Sequence, residues 1–211
     1  MQSSERVVVT GHRADRLASR LCDVIGEFLY DISHTVVFRF GAYTDESFRN
    51  GHFGNVPVMR CVDHKFVNYL QRSISVVRNA LKHHHLEKFE VCIVDAQEVS
   101  LFSLRVSMRQ ISSFQDEQLK ALDSRADDLR RKFAPALLAL QTMKIPCALM
   151  ELLQKTPTRP RIRLLTTTTD CHGMKKISCP PMYTHVLMPW SDPVENDFNQ
   201  LIFTAFMIEQ T

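Results

Sequence analysis

The sequence predicts an α+β fold, an antiparallel sheet with helices packed on one face. Three observations predict it. Three stretches repeat apolar residues at the spacing of a helix, a central pair of segments alternates apolar and polar residues as a hairpin does, and two more strand-like segments follow in the C-terminal third. The order is helix, loop, helix, hairpin, helix, strand, irregular segment, strand.

The first helix is read from Leu17, Leu21, Val24, Ile25, Phe28, Leu29, Ile32 and Val36, which form one apolar stripe over about five turns. From Tyr43 to Pro57 the turn formers Thr44, Asp45, Asn50-Gly51, Gly54-Asn55 and Pro57 predict a loop. Phe66, Leu70, Ile74, Val77 and Leu81 mark a second helix. After His83-His84-His85 the period falls to two. Phe89, Val91 and Ile93 alternate with Glu90, Cys92 and Val94, and Leu101 to Met108 alternates likewise, so a hairpin with one buried face is expected. Gln115 to Met143 carries Leu119, Leu122, Ala126, Leu129, Phe133, Leu137 and Leu140 on one stripe, a third long helix with a bend expected near Pro135. Pro160 ends a break in the chain, and Arg161 to Thr169 reads as a strand rich in β-branched residues. The last forty residues hold Pro180, Pro181 and Pro189, the only tryptophan, Trp190, and a final alternating strand from Leu201 to Ile208. There is no internal repeat.

Composition narrows the function. With 211 residues, one well-filled domain is expected. The chain has 26 Lys+Arg against 23 Asp+Glu, and this formal charge of +3 is too small to predict direct nucleic-acid binding through phosphate neutralisation. Its 6 glycines fall into no phosphate-cradling motif, which argues against a nucleotide enzyme. The cysteines Cys22, Cys61, Cys92, Cys147, Cys171 and Cys179 are scattered, several within apolar segments, as reduced thiols are. No signal-like or membrane-spanning apolar run is present, so a soluble intracellular protein is expected, with no membrane partner.

The chemistry-bearing residues are sparse. His83 to His85 sit where a helix ends, a place that favours histidine through the helix dipole without any metal. Cys171, His172, Cys179 and His185 are residue types zinc accepts, but their spacing matches no paired ligand motif; a small zinc or thiol enzyme is the rival reading they support. No nucleophile elbow, zincin helix or carboxylate pair appears, so catalytic residues and cofactors are expected to be absent. Arg130, Arg131 and Lys132 read as a solvated helix face or, more sharply, a partner contact. Tyr69 beside the second stripe and Trp190 after Pro189 read equally as core aromatics or as anchors of a peptide groove.

Several segments together carry a resemblance. Val36-Val-Phe-Arg-Phe-Gly-Ala-Tyr-Thr-Asp-Glu-Ser-Phe48, then Asn55-Val-Pro-Val58, Tyr69-Leu70 and Leu86-Glu-Lys-Phe-Glu-Val-Cys-Ile-Val94 resemble, in order and spacing, HORMA-domain proteins. Within that family they are most similar to the accessory subunits of translesion DNA polymerase zeta, and less so to the spindle-checkpoint branch. The resemblance covers Leu17 to Thr169 well. It divides the chain into an N-terminal extension (1–16), a HORMA core (17–169) and a C-terminal safety belt (170–211) of the same domain. Thr44 stands where the family usually has proline.

The resemblance implies a non-enzymatic adaptor in the nucleus, without cofactor, in DNA damage tolerance or, alternatively, in checkpoint or meiotic signalling. A partner peptide, from a catalytic DNA polymerase subunit, would add to a free sheet edge, that of Arg161 to Thr169, and the belt would close over it. Tyr69, Leu164, Pro189 and Trp190 fall at peptide-binding positions. Arg131, with Arg130 as the one-residue alternative, falls on the arginine used in HORMA homo- or heterodimers. Phe206 and Met207 fall on the strand edge expected to meet a second translesion polymerase acting as scaffold. The belt is expected to occupy either of two places on the sheet, with slow exchange between them.

Overall fold

The first apolar stripe becomes one long helix, α1 (Arg6–Arg39), which begins at Arg6 where Leu17 was expected, so most of the presumed extension is helical. The computed structural model describes residues 6–82, 86–108, 126–155, 159–168, 187–189, 194–195 and 201–208. Leu21, Val24, Ile25, Phe28, Leu29, Ile32 and Val36 are all buried, as their spacing requires. A Schellman motif stops the helix: Gly41, at φ +61°, donates to the Phe38 carbonyl, and Ala42 donates to that of Val37.

The expected loop is mostly a hairpin. β1 (Phe48–Phe53) and β2 (Val56–Cys61) pair antiparallel with Phe53 opposite Val56, leaving the two-residue turn Gly54-Asn55. Gly54 takes φ +55°, the conformation a tight hairpin needs. Gly51 is part of the strand. A Cβ there would lie 2.8 Å from the stem of Arg60, so the glycine admits that side chain and does not break the structure. The turn-forming residue types predict a loop, but Phe53, Val56 and Val58 share one face of the hairpin, Phe48 pairs with Cys61 at its open end, and all five are buried in the core.

Asp63 caps α2 (His64–Lys82), its carboxylate accepting the Phe66 N–H at 2.9 Å. The five predicted stripe residues, Phe66, Leu70, Ile74, Val77 and Leu81, are buried. β3 (Leu86–Val94) and β4 (Ser100–Met108) form the expected hairpin. At its tip the Asp95 carboxylate accepts the N–H groups of Gln97 and Val99, and Glu98 is held at φ +65°. Next come α3 (Ala126–Thr142), with Pro135 inside it, and a short helix, α4 (Cys147–Lys155), that the sequence reading did not anticipate. The portion expected to be helical before Ala126 lies outside the described residues.

The C-terminal strands are β5 (Arg161–Thr168), β6 (Leu187–Pro189), β7 (Val194–Glu195) and β8 (Leu201–Ile208). The main sheet runs β5-β3-β4-β8-β6, antiparallel throughout, with β7 also pairing with β8. Phe89, Val91, Ile93, Phe102, Leu104 and Val106 point to one face and form one core with α1, α2 and α3. In it Phe28 stacks on Phe133 at 5.1 Å, and Phe40 lies 4.4 Å from Phe102. This places α2 over the end of the sheet where β5 is the outer strand.

Candidate functional site

Residues Leu164 and Tyr69, predicted from the resemblance, meet at this outer strand. β5 pairs with β3 on one side only, among the described residues. The Leu164 N–H donates to the Tyr69 hydroxyl at 3.1 Å, so it points away from β3. Alternation along an antiparallel strand then turns the backbone groups of Ile162 and Thr166 outward as well, while Arg161, Arg163 and Leu165 exchange hydrogen bonds with β3. The result is an open backbone edge with one of its donors held by a tyrosine. Tyr69 is 41% exposed and reaches the edge because α2 crosses this corner of the sheet.

A groove of about 640 Å³ runs along this edge. Tyr43 and Tyr69 line its helix side, Ile162 its floor, and Lys65, Arg159 and Arg161 bring three cations to its rim. Tyr43 packs its ring 5.6 Å from Phe66, and burial pushes its hydroxyl pKa up, so it stays neutral. Arg163 pairs with Glu98 at the hairpin tip. Lys65, Arg159 and Arg161 have no acidic partner among the described residues. The basic residues of this rim were missed in the sequence, although Arg159, Arg161 and Arg163 recur at every second position, the period that aligns side chains on one face of a strand.

The other predicted site residues lie elsewhere. Pro189 is on β6, opposite Phe206 and at the far end of the strand order, so the backbone does not bring it to the β5 edge. Trp190 lies outside the described residues. Phe206 and Met207 are in β8, opposite Ser103 and Phe102 on β4 and opposite Pro189 and Met188 on β6. At these residues the strand is hydrogen-bonded on both sides, so a partner meeting them would contact side chains and not free backbone groups. On α3, Arg130 is tied to Glu27 of α1 at 2.8 Å and to Asp127 at 2.9 Å. The Glu27 hydrogen bond leads the effects that raise its pKa. Arg131 is 73% exposed and makes only a long contact, 3.4 Å, to Asp128.

No group of three or more metal-ligating side chains occurs among the described residues. His83 to His85 and Cys171, His172, Cys179 and His185 lie outside them. No helix among the described residues is long and apolar enough to cross a membrane.

The architecture has clear counterparts among solved structures. A chain of the mitotic checkpoint complex superposes with a TM-score of 0.62 at 10% identity, over 92% of this chain and 97% of that one. C. elegans HTP-2 bound to a HIM-3 closure motif gives 0.56 at 11% identity, covering 90% of this chain and 91% of that chain. C. elegans HTP-1 bound to motif-1 of HTP-3 gives 0.52 at 9%, covering 89% and 91%. At these identities the likeness establishes the fold, which is the HORMA fold. No protein-family model matches the chain. No curated protein matches it either.

Proposed function

We propose that this protein is a non-enzymatic adaptor that adds an extended peptide of a partner to the open edge of β5 and closes its C-terminal segment, residues 170–211, over it. The observation that carries the reading is the unpaired edge beside Tyr69. Backbone donors and acceptors left open on an outer strand are what β-augmentation uses, and the groove beside them supplies pockets for alternate side chains. The pairing of β8 with β4 supports it, since the last strand then occupies the other side of the sheet and leaves β5 available. Of the structural counterparts, HTP-2 was solved with a HIM-3 closure motif bound and HTP-1 with motif-1 of HTP-3 bound.

Within that class we assign the chain to DNA damage tolerance, as the nuclear accessory subunit of translesion DNA polymerase zeta. Its peptide would come from the catalytic subunit, and a second translesion polymerase would serve as scaffold. The order and spacing of the motifs from Val36 to Val94 support this assignment. The scaffold would meet the faces of the β8 region rather than its backbone edge. We assign pairing with a second HORMA protein to α3, and the exposure of Arg131 supports that assignment. A checkpoint or meiotic signalling role is the second reading, and the likeness to a chain of the mitotic checkpoint complex supports its checkpoint form.

Affinity purification of the tagged protein with mass spectrometry, comparing wild type with Tyr69→Ala and Trp190→Ala, separates these readings. A large DNA polymerase recovered with wild type and lost from both variants is expected. Each substitution should weaken the peptide by about 2 kcal/mol or more, as loss of a buried aromatic anchor does. Checkpoint or chromosome-axis proteins in its place would shift the assignment to the second reading, and a partner set indifferent to both substitutions would remove the groove from the mechanism.

A further inference from the structure

The charge on the two faces of β5 specifies what kind of peptide the edge accepts. Ile162 and Leu164 lie opposite Ile93 and Val91 of β3, which are fully buried, so they share the helix-covered face with Tyr69. Arg161 and Arg163 lie opposite Val94 and Cys92 and face the other way, and Arg159 precedes them at the same period. An added strand presents its own residues alternately to these two faces, and directly opposed side chains of neighbouring strands lie about 5 Å apart. One set of its side chains therefore meets Tyr69, Ile162 and Leu164, and the other meets a row of guanidinium groups.

Among the described residues the row is only partly neutralised. Glu98 pairs with Arg163 at 2.5 Å, and Lys65 adds a further cation on the groove rim. Among the described residues four cations, Lys65, Arg159, Arg161 and Arg163, line the groove against one carboxylate, Glu98. A cationic rim beside a low-dielectric wall favours an anionic ligand and rejects a basic one by like-charge repulsion.

We infer that the ligand of this edge is an extended peptide in which apolar and acidic residues alternate, the acidic ones lying along Arg159, Arg161 and Arg163. The inference rests on the edge-binding reading above and adds a charge pattern to it. The pattern sets register as well as affinity, because a shift of the peptide by one residue would turn its carboxylates onto Ile162 and Leu164.

The test is selection of random peptides of about ten residues, displayed on phage, against the purified full chain. Tyr69→Ala and the double variant Arg159→Glu/Arg161→Glu are run beside it, each first shown to be folded by circular dichroism and thermal melting. Wild type should enrich peptides that alternate apolar and acidic residues. The best of these, synthesised, should lose binding to Tyr69→Ala and bind the double variant about tenfold more weakly. It should also weaken as ionic strength rises from about 0.05 M to about 0.3 M. A version with lysine at its acidic positions should bind the double variant better than wild type. Enriched peptides that depend on Tyr69 yet carry no acidic alternation overturn the charge pattern and leave edge binding standing. Failure to enrich any Tyr69-dependent peptide overturns edge binding and the pattern with it.

Discussion

The helical side of the molecule around α1 and the rim around β5 treat their polar groups in opposite ways. Around α1 the charged groups close on one another. Asp31, fully buried, accepts two hydrogen bonds from Arg60 at 2.7 and 2.8 Å, and Arg60 also donates to the His52 carbonyl at 2.9 Å. Arg39 donates to the carbonyls of Gln141 and Met143 at the end of α3, and Arg130 joins α3 to Glu27. Along β5, in contrast, Lys65, Arg159 and Arg161 have no acidic partner among the described residues, and a strand edge lies open beside them. Charge closed on itself in a partly buried site positions helices, whereas charge left open beside an edge that is unpaired among the described residues is available to a ligand.

Arg60→Ala should produce the largest effect on the closed side. It leaves the Asp31 carboxylate buried without its fork, and removing one partner of a buried ion pair costs about 3–5 kcal/mol. Burial already pushes the Asp31 pKa up against the pull of Arg60, which shows how much that carboxylate depends on the pair. Urea denaturation measures the loss directly. Asp31→Leu in the same chain as Arg60→Ala should recover part of it, since the uncompensated charge is then gone. A single-variant loss below about 1 kcal/mol would mean that the pair is an ordinary surface contact.

His34 supplies the next test. Its Nδ1 accepts the Cys61 N–H at 2.9 Å, its ring lies between Tyr30 and Phe66, and its Nε2 finds no hydrogen-bond partner among the described residues. Burial first, then the nearby Arg60 charge, lower its pKa to about 3. The unfolded chain takes up this proton near pH 6.5 and the folded one only near 3, so the stabilising contribution is complete above pH 6.5 and is lost as pH falls toward 3. The slope approaches about 1.4 kcal/mol per pH unit inside that window. His34→Gln should flatten it, and denaturation midpoints across the window, wild type against variant, provide the measurement. Parallel curves for the two proteins would show that His34 does not titrate with unfolding.

The elements with an uninterrupted period were legible in the sequence: the stripes of α1 and α2, the β3–β4 hairpin, and the strands β5 and β8. What was misread shares a physical cause. Residues 43–57 carry so many turn-favouring types that local propensity pointed to a loop, but Gly51 and Pro57 sit in strands whose pairing comes from burial against α1. Of the candidate site, the resemblance names Tyr69 and Leu164, and the structure joins them by a hydrogen bond that no spacing encodes, since it links residues on different elements. The basic rim was visible as alternating arginines but lacked meaning until β5 proved to be an outer strand. That Phe206 and Met207 lie in a strand paired on both sides was not legible, because a strand does not reveal from its own residues how many neighbours it has.

Arg130 and Arg131 bring the same contrast down to adjacent residues. Arg130 belongs to the closed network, and Gly54 of the β1–β2 turn sits so close that a Cβ there would lie 3.3 Å from its own Cβ. Arg131 faces solvent on a stripe with Pro135 and Leu138, the latter 46% exposed. Arg130→Ala should therefore cost about 1 kcal/mol of stability through the lost network and leave association to the extent that folding allows. Arg131→Ala should leave stability within about 0.5 kcal/mol and weaken pairing by about 2 kcal/mol if it anchors the α3 surface. Sedimentation at increasing concentration, with denaturation in parallel, reads both quantities on both variants. A wild-type chain that stays monomeric, tested alone and with another protein of the HORMA fold, or a dimer that survives Arg131→Ala, would take that surface away from partner binding and reduce Arg131 to a solvated helix face.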